Sequence, residues 1–346
     1  MQVSRRHIMG VLAAAMAVPA PLIGAARSGG FIKPRRLRPG DTVGLIEPAT
    51  ASDETMQITL IEEAVLAMGL KPRRAANLLS RHGYLGGTDE ARAAGVNAMF
   101  RDPQVSAIFA VRGGWGSARM LPLLDWPIIR ANPKLLLGYS DITALHMAIA
   151  AKAGFITLHG PNGGSAWGKA SVDHFRALAF DGAAPLLTNP VGSEDRLVQR
   201  QWRTQTITKG RARGPLLGGN LTVLTALAGT EYLPDFTGAI LFLEDVDEAE
   251  YRIDRMLTQL GQAGVLGKLA GVVFGQCTNC VGQSSGNYGG FTLTDILAHH
   301  LGRLGVPAYR GAWFGHIADQ FTLPVGGMAE IDADAGTIRL LEPAVT

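Results

Sequence analysis

Only two cysteines occur in the 346 residues, too few for a disulfide framework, so stability must come from packed cores. Charge is also sparse: 18% of residues are charged against 47% hydrophobic, a balance that excludes intrinsic disorder. Neither sign dominates, since 32 Lys and Arg face 29 Asp and Glu for a formal net charge of +3. A phosphate-binding face needs a clustered basic excess, so nucleic acid is not expected as a partner. No internal repeat or low-complexity segment occurs. After residue 30, nothing is apolar for the roughly 20 residues that a membrane span requires. What the chain does have is glycine, 44 residues of it, which points to tight turns and close backbone approaches. At roughly 150 residues per domain, the length predicts two domains.

Residues 1–26 read as an address rather than as fold. Ser4-Arg5-Arg6-His7-Ile8-Met9 precedes an apolar run from Ile8 to Val18, and Gly24-Ala25-Ala26 offers small residues for cleavage. This is the pattern of a twin-arginine export signal. The run is too short for an anchor, so no stable membrane insertion is expected once it is removed. The mature chain then carries 30 positive against 29 negative residues, because the segment holds two Arg and no acid.

From 31 to 181 short β-rich runs alternate with helical segments: strands at 42–46, 107–111 and 135–137, helices at 56–68, 88–100 and 142–153. Such alternation predicts βαβ units and a parallel sheet covered by helices, an α/β domain. The runs at 107–111 and 135–137 lack polar alternation, as expected of strands buried on both faces, and ligands bind at the carboxyl edge of such sheets. Residues 182–205, with Pro185, Pro190 and Gly192, read as a linker. The remainder, 206–346, is predicted to be an α+β domain, with helices near 221–228, 251–260 and 293–301 and strands near 239–243, 271–274, 328–331 and 337–341.

Four constellations could carry chemistry. In Leu135-Leu136-Leu137-Gly138-Tyr139-Ser140-Asp141 a buried strand turns through Gly and Ser into a helix. Ser140 could there be a nucleophile at the sheet edge, with the Asp141 amide as an oxyanion donor, or merely a helix cap. Arg112-Gly113-Gly114-Trp115-Gly116 follows a buried strand, and the amides of Gly113 and Gly114 could line an anion nest or simply shape a turn. Glu244 and Asp245 end an apolar strand, where a carboxylate could orient a histidine; Glu248 and Glu250 are close alternatives, and helix capping is the plainer reading. His316, in Gly315-His316-Ile317-Ala318-Asp319, has the side chain suited to general base and acid work, although a loop histidine is commonly only hydrogen-bonded. His146 reads as a helix-face residue, and His299 and His300 suit a helix C-terminus. Cys277-Thr278-Asn279-Cys280 has metal-like spacing, but no second Cys/His pair follows, so no metal is expected. Two reduced, partly buried thiols are the expectation, with a disulfide after export as the alternative.

The order Ser, acid, His across two domains, with GYSDITALH, RGGWG, His159-Gly160-Pro161, Gly218-Gly219-Asn220, LFLED and the GH loop, resembles the LD-carboxypeptidases, the muramoyltetrapeptide serine carboxypeptidases. The resemblance spans essentially the whole mature chain. It implies an N-terminal domain like class I glutamine amidotransferases, a C-terminal swivelling-type α+β domain, and a site in the cleft between them. It also implies Ser140 as nucleophile, Glu244 as the orienting carboxylate, His316 as base and acid, and an oxyanion hole from the amides of Asp141, Gly113 and Gly114. No cofactor is implied. Arg112 is a candidate for the substrate's terminal carboxylate by its charge. Trp115 departs from the family's usual Tyr and could alter the substrate pocket. The implied reaction releases terminal D-alanine from a murein tetrapeptide, and the implied assembly is a homodimer. Relatives that recycle murein fragments act in the cytoplasm, whereas the signal here implies the periplasm.

Overall fold

The computed structural model describes residues 30–191, 197–280 and 290–346. The export-signal reading at 1–26 falls outside them. The first half of the chain runs β1 (Thr42–Ile46), α1 (Thr55–Ala67), β2 (Lys71–Arg74), α2 (Asp89–Arg101), β3 (Val105–Ala110), α3 (Ser117–Met120), α4 (Trp126–Ala131), β4 (Leu135–Gly138), α5 (Thr143–Lys152), β5 (Thr157–His159) and α6 (Lys169–Ala179). The second half continues with β6 (Leu186–Thr188), β7 (Gln205–Thr208), β8 (Arg211–Asn220), α7 (Leu221–Ala226), β9 (Ile240–Val246), α8 (Glu250–Gln262), β10 (Gly271–Thr278), α9 (Leu293–Leu301), β11 (Ala308–Arg310), β12 (Leu323–Val325), β13 (Met328–Asp332) and β14 (Thr337–Leu340).

Two sheets organise these elements, giving a two-domain α/β structure. The first has six strands in the order β12-β5-β4-β3-β1-β2, parallel throughout except for β12. Every residue of β4 is buried, and β3 exposes only Ser106 in part, because helices cover both faces. On α1, Ile58, Ile61 and Val65 form the stripe that packs inward. On α2, the Thr88 side chain accepts from the Ala91 amide at 3.2 Å and starts the helix. The chain crosses from β1 to β2 on one side and to β3 on the other, so a crevice opens beyond the carboxyl ends of β1 and β3.

The second sheet has eight strands in the order β6-β14-β13-β8-β9-β10-β11-β7, with a parallel centre, β8 to β11, and antiparallel flanks. Two short strands cross the expected organisation. Leu323–Val325, inside the stretch read as the second domain, pairs antiparallel with β5 and closes the edge of the first sheet. Leu186–Thr188, inside the stretch read as linker, pairs with β14. Strands of three residues are placed by the edge that needs covering, not by their own pattern. The expectation of reduced thiols is corrected: Cys277 and Cys280 form a disulfide at the end of β10, where the turn brings their Cα atoms to 5.4 Å. No described helix is long and apolar enough to cross a membrane.

Candidate active site

Ser140 stands where β4 ends. Its φ is +65°, a left-handed conformation costly for a residue with a Cβ, and it lifts the hydroxyl off the sheet edge. Ser140 caps neither the short helical turn it opens nor α5. Space for the hydroxyl comes from Gly113, since a Cβ there would lie 2.9 Å from the Ser140 Cβ and 3.1 Å from its Oγ. Behind the turn, Asn162 Oδ1 accepts from the Tyr139 amide at 3.1 Å. His146, fully buried, donates from Nε2 to the Gly138 carbonyl at 2.8 Å and accepts at Nδ1 from Thr157. Burial pushes its pKa down to about 4, so it is neutral packing beneath the strand.

Glu244 and His316 come from the other sheet. Glu244 is fully buried near the carboxyl end of β9, and its Oε2 accepts from His316 Nδ1 at 2.7 Å. His316 Nε2 in turn accepts the Ser140 hydroxyl at 3.0 Å. Burial lowers the His316 pKa, but the hydrogen bond and charge of Glu244, with Asp245 and Asp247 adding to them, outweigh it and the net shift is upward. Tyr139 lies against the same imidazole, ring centroids 4.9 Å apart. Glu248, an alternative to Glu244, faces elsewhere: it accepts from Thr222 Oγ1 at 3.3 Å and lies 3.6 Å from Arg252. Asp245 is tied to Asn220 and Thr222, and burial together with the Glu244 charge raises its pKa to about 6.

The Ser140 hydroxyl and His316 open into a cleft of about 730 Å³ at the crevice between β1 and β3. Arg112, Gly113 and Gly114 line one wall, and Leu60, Ile61 and Ala64 of α1 line another with Ala166 and Trp167. Among the described residues, the amides of Gly113 and Gly114 donate to no protein acceptor. Arg112 spends Nη1 on the Ala51 carbonyl at 2.9 Å and lies 3.9 Å from Asp53. Asp141 projects its carboxylate away, accepting from the Ser117 amide at 2.8 Å, and burial raises its pKa. Trp115 is not among the cleft-lining residues; it is 52% exposed, its indole edge-on to Tyr84. No group of three His, Cys, Asp or Glu among the described residues could hold a metal.

Residues 43–160 match the family model of the LD-carboxypeptidase N-terminal domain, and residues 213–331 match that of the C-terminal domain. The chain belongs to the LD-carboxypeptidase family. It is 39% identical over 324 residues to a putative carboxypeptidase of Streptomyces coelicolor, covering 91% of this chain and 98% of that one. It is 36% identical over 311 residues to a probable murein peptide carboxypeptidase of Bacillus subtilis, covering 87% and 91%. Among solved structures, the microcin C7 self-immunity protein MccF of Escherichia coli, in complex with glutamyl sulfamoyl guanosine, aligns with a TM-score of 0.80 at 26% identity, over 91% of this chain and 100% of that one.

In this member of the family several supporting residues escape sequence reasoning. Arg92 is fully buried; its Nη1 donates to the carbonyls of Pro48 and of Gly116, the latter at 2.8 Å, and Nη2 pairs with Asp89, so it joins the loops after β1 and β3. Glu47 accepts from the amides of Ser52 at 2.5 Å and Leu79 at 3.1 Å, holding the loop after β1 that supplies Ser52 to the cleft. An arginine inside an otherwise apolar helical stripe is the one signal that could have drawn attention to Arg92.

Proposed function

We propose that the protein is a serine LD-carboxypeptidase that releases terminal D-alanine from murein tetrapeptides. The observation that carries this reading is the unbroken chain Glu244, His316, Ser140, at 2.7 and 3.0 Å, opening into a cleft. Glu244 accepts the Nδ1 proton and so fixes the tautomer that leaves the Nε2 lone pair facing Ser140. As Ser140 Oγ attacks the carbonyl of the L-configured diamino acid, His316 takes the hydroxyl proton. The amides of Gly113, Gly114 and Asp141 stabilise the oxyanion. Collapse breaks the C–N bond, His316 returns the proton to the departing D-alanine amine, and water hydrolyses the acyl-enzyme by the same route in reverse. Arg112 is the cation of the cleft wall suited to the substrate's free carboxylate.

The likeness to MccF favours a second reading, an amidase acting on a peptide-nucleotide antibiotic. A third, a muropeptide binder without activity, is disfavoured because the three polar groups keep hydrogen-bonding geometry. Export through the segment at 1–26 to the periplasm fits the Cys277–Cys280 disulfide, since such bonds persist in oxidising compartments. The test is a substrate panel: a murein tetrapeptide, its all-L isomer and an aminoacyl sulfamoyl nucleoside, with products followed by mass spectrometry. Alanine release from the tetrapeptide alone supports the first reading, and cleavage of the nucleoside alone replaces it with the second.

A further inference from the structure

The loop that carries His316 is moored at two points. On the side of the second sheet, Thr278 Oγ1 donates to the His316 carbonyl at 2.8 Å. On the other side Asp319, three residues on, reaches α6 beside the first sheet. Asp319 Oδ1 accepts from Ser171 Oγ at 2.8 Å and from the Ser171 amide at 3.2 Å, and Ser171 Oγ accepts from the Gln320 amide at 3.0 Å. Ser171 is fully buried and Gln320 nearly so.

This contact substitutes for a helix cap. The residue before α6 is Gly168, which has no side chain to offer, and Ser171 is the third helical residue, whose amide an N-cap oxygen ordinarily satisfies. Asp319 satisfies it from 148 positions away. A side chain at 168 would displace that carboxylate, because a Cβ there would lie 2.4 Å from both Asp319 oxygens. Just before α6 run Gly163, Gly164, Ala166 and Trp167 of the cleft wall, so one carboxylate ties the histidine loop to that wall.

We propose that Asp319, acting through Ser171, is a positioning residue that holds His316 in register with Ser140 across the two sheets. The proposal builds on the reading of Ser140 as a nucleophile activated by His316. Proton transfer needs the 3.0 Å separation of Nε2 and Oγ to be kept, and a displacement of 1 Å in such an arrangement costs on the order of 10²-fold in rate.

The experiment is the reaction of the full-length protein with a fluorophosphonate, measuring both the rate constant and the final number of labels per chain. Asp319→Ala should be labelled to the same final extent as wild type but on the order of tenfold to a hundredfold more slowly. On the tetrapeptide its kcat should fall by a similar factor with KM little changed. Asp319→Asn, which keeps an oxygen acceptor for Ser171, should recover most of the rate. Ser171→Ala removes the hydroxyl but leaves the capped amide; it should also be slow, and serves if Asp319→Ala does not fold. Labelling of Asp319→Ala at the wild-type rate overturns the proposal, as does a lower final extent at an unchanged rate per site, the mark of a role confined to folding. Failure of wild type itself to be labelled at Ser140 would instead overturn the function on which the proposal is built.

Discussion

At the edge of the first sheet the Ser140 hydroxyl is presented by that sheet alone: the buried strand β4, a left-handed φ of +65° at Ser140, and, on the loop after the neighbouring β3, a glycine at 113 where any Cβ would press on it. At the edge of the second sheet nothing local suffices. Glu244 and His316 are 72 positions apart; their 2.7 Å contact joins β9 to a loop held by Thr278 on one side and Asp319 on the other, and the 3.0 Å contact of His316 with Ser140 needs the meeting of the two sheets. The placement of Ser140 is therefore a property of the first sheet's edge, and that of Glu244 and His316 against it is a property of the assembled domains.

That contrast can be broken by substitution. Ser140→Ala and His316→Ala should each lower kcat by about 10⁴-fold or more, because the members of such a chain act as a unit; steady-state kinetics that find either within tenfold of wild type would remove it from the mechanism. Glu244→Gln should cost about 10³ to 10⁴-fold through the wrong tautomer, whereas Glu248→Gln, which faces Thr222 and Arg252, should stay within about threefold; the reverse order would move the orienting carboxylate to Glu248. Gly113→Ala should lower kcat by about 10 to 100-fold by crowding the hydroxyl, a loss that a turn-only role for this segment would not produce. The smallest effect is on pH dependence. His316 must be neutral to act as base and its pKa is raised, so kcat/KM should climb with pH through a midpoint above the ordinary imidazole value of about 6.5. In Glu244→Gln the opposing influence of burial remains, so the midpoint should move to lower pH.

The same contrast governs what could be read from the sequence. The run Leu135-Leu136-Leu137-Gly138 followed by Tyr139-Ser140 announces a buried strand ending in a turn, because its apolar continuity and its glycine are local signals. So does Ala107 to Val111 before the glycines at 113 and 114. The left-handed φ at Ser140 leaves no such trace, since nothing in a serine side chain requests it. Neither β12 closing the first sheet nor Asp319 capping α6 is visible either, because each joins segments more than a hundred residues apart and depends on the tertiary fold alone. The strand β8 is equally hidden: Gly214, Pro215, Gly218 and Gly219 are strand breakers by propensity, yet between β13 and β9 they form a central strand. His316 is legible through family resemblance as much as through chemistry, and its loop gives no local sign that Ser140 lies 3.0 Å away.

The most direct measurement is the mass of the enzyme quenched during turnover of a murein tetrapeptide. A transient adduct equal to the substrate less alanine, located by peptide mapping on the segment that contains Ser140 and absent from Ser140→Ala, is the outcome expected of a nucleophile activated across two sheets. Alanine released at an undiminished rate by Ser140→Ala, or an adduct carried elsewhere on the chain, would contradict it.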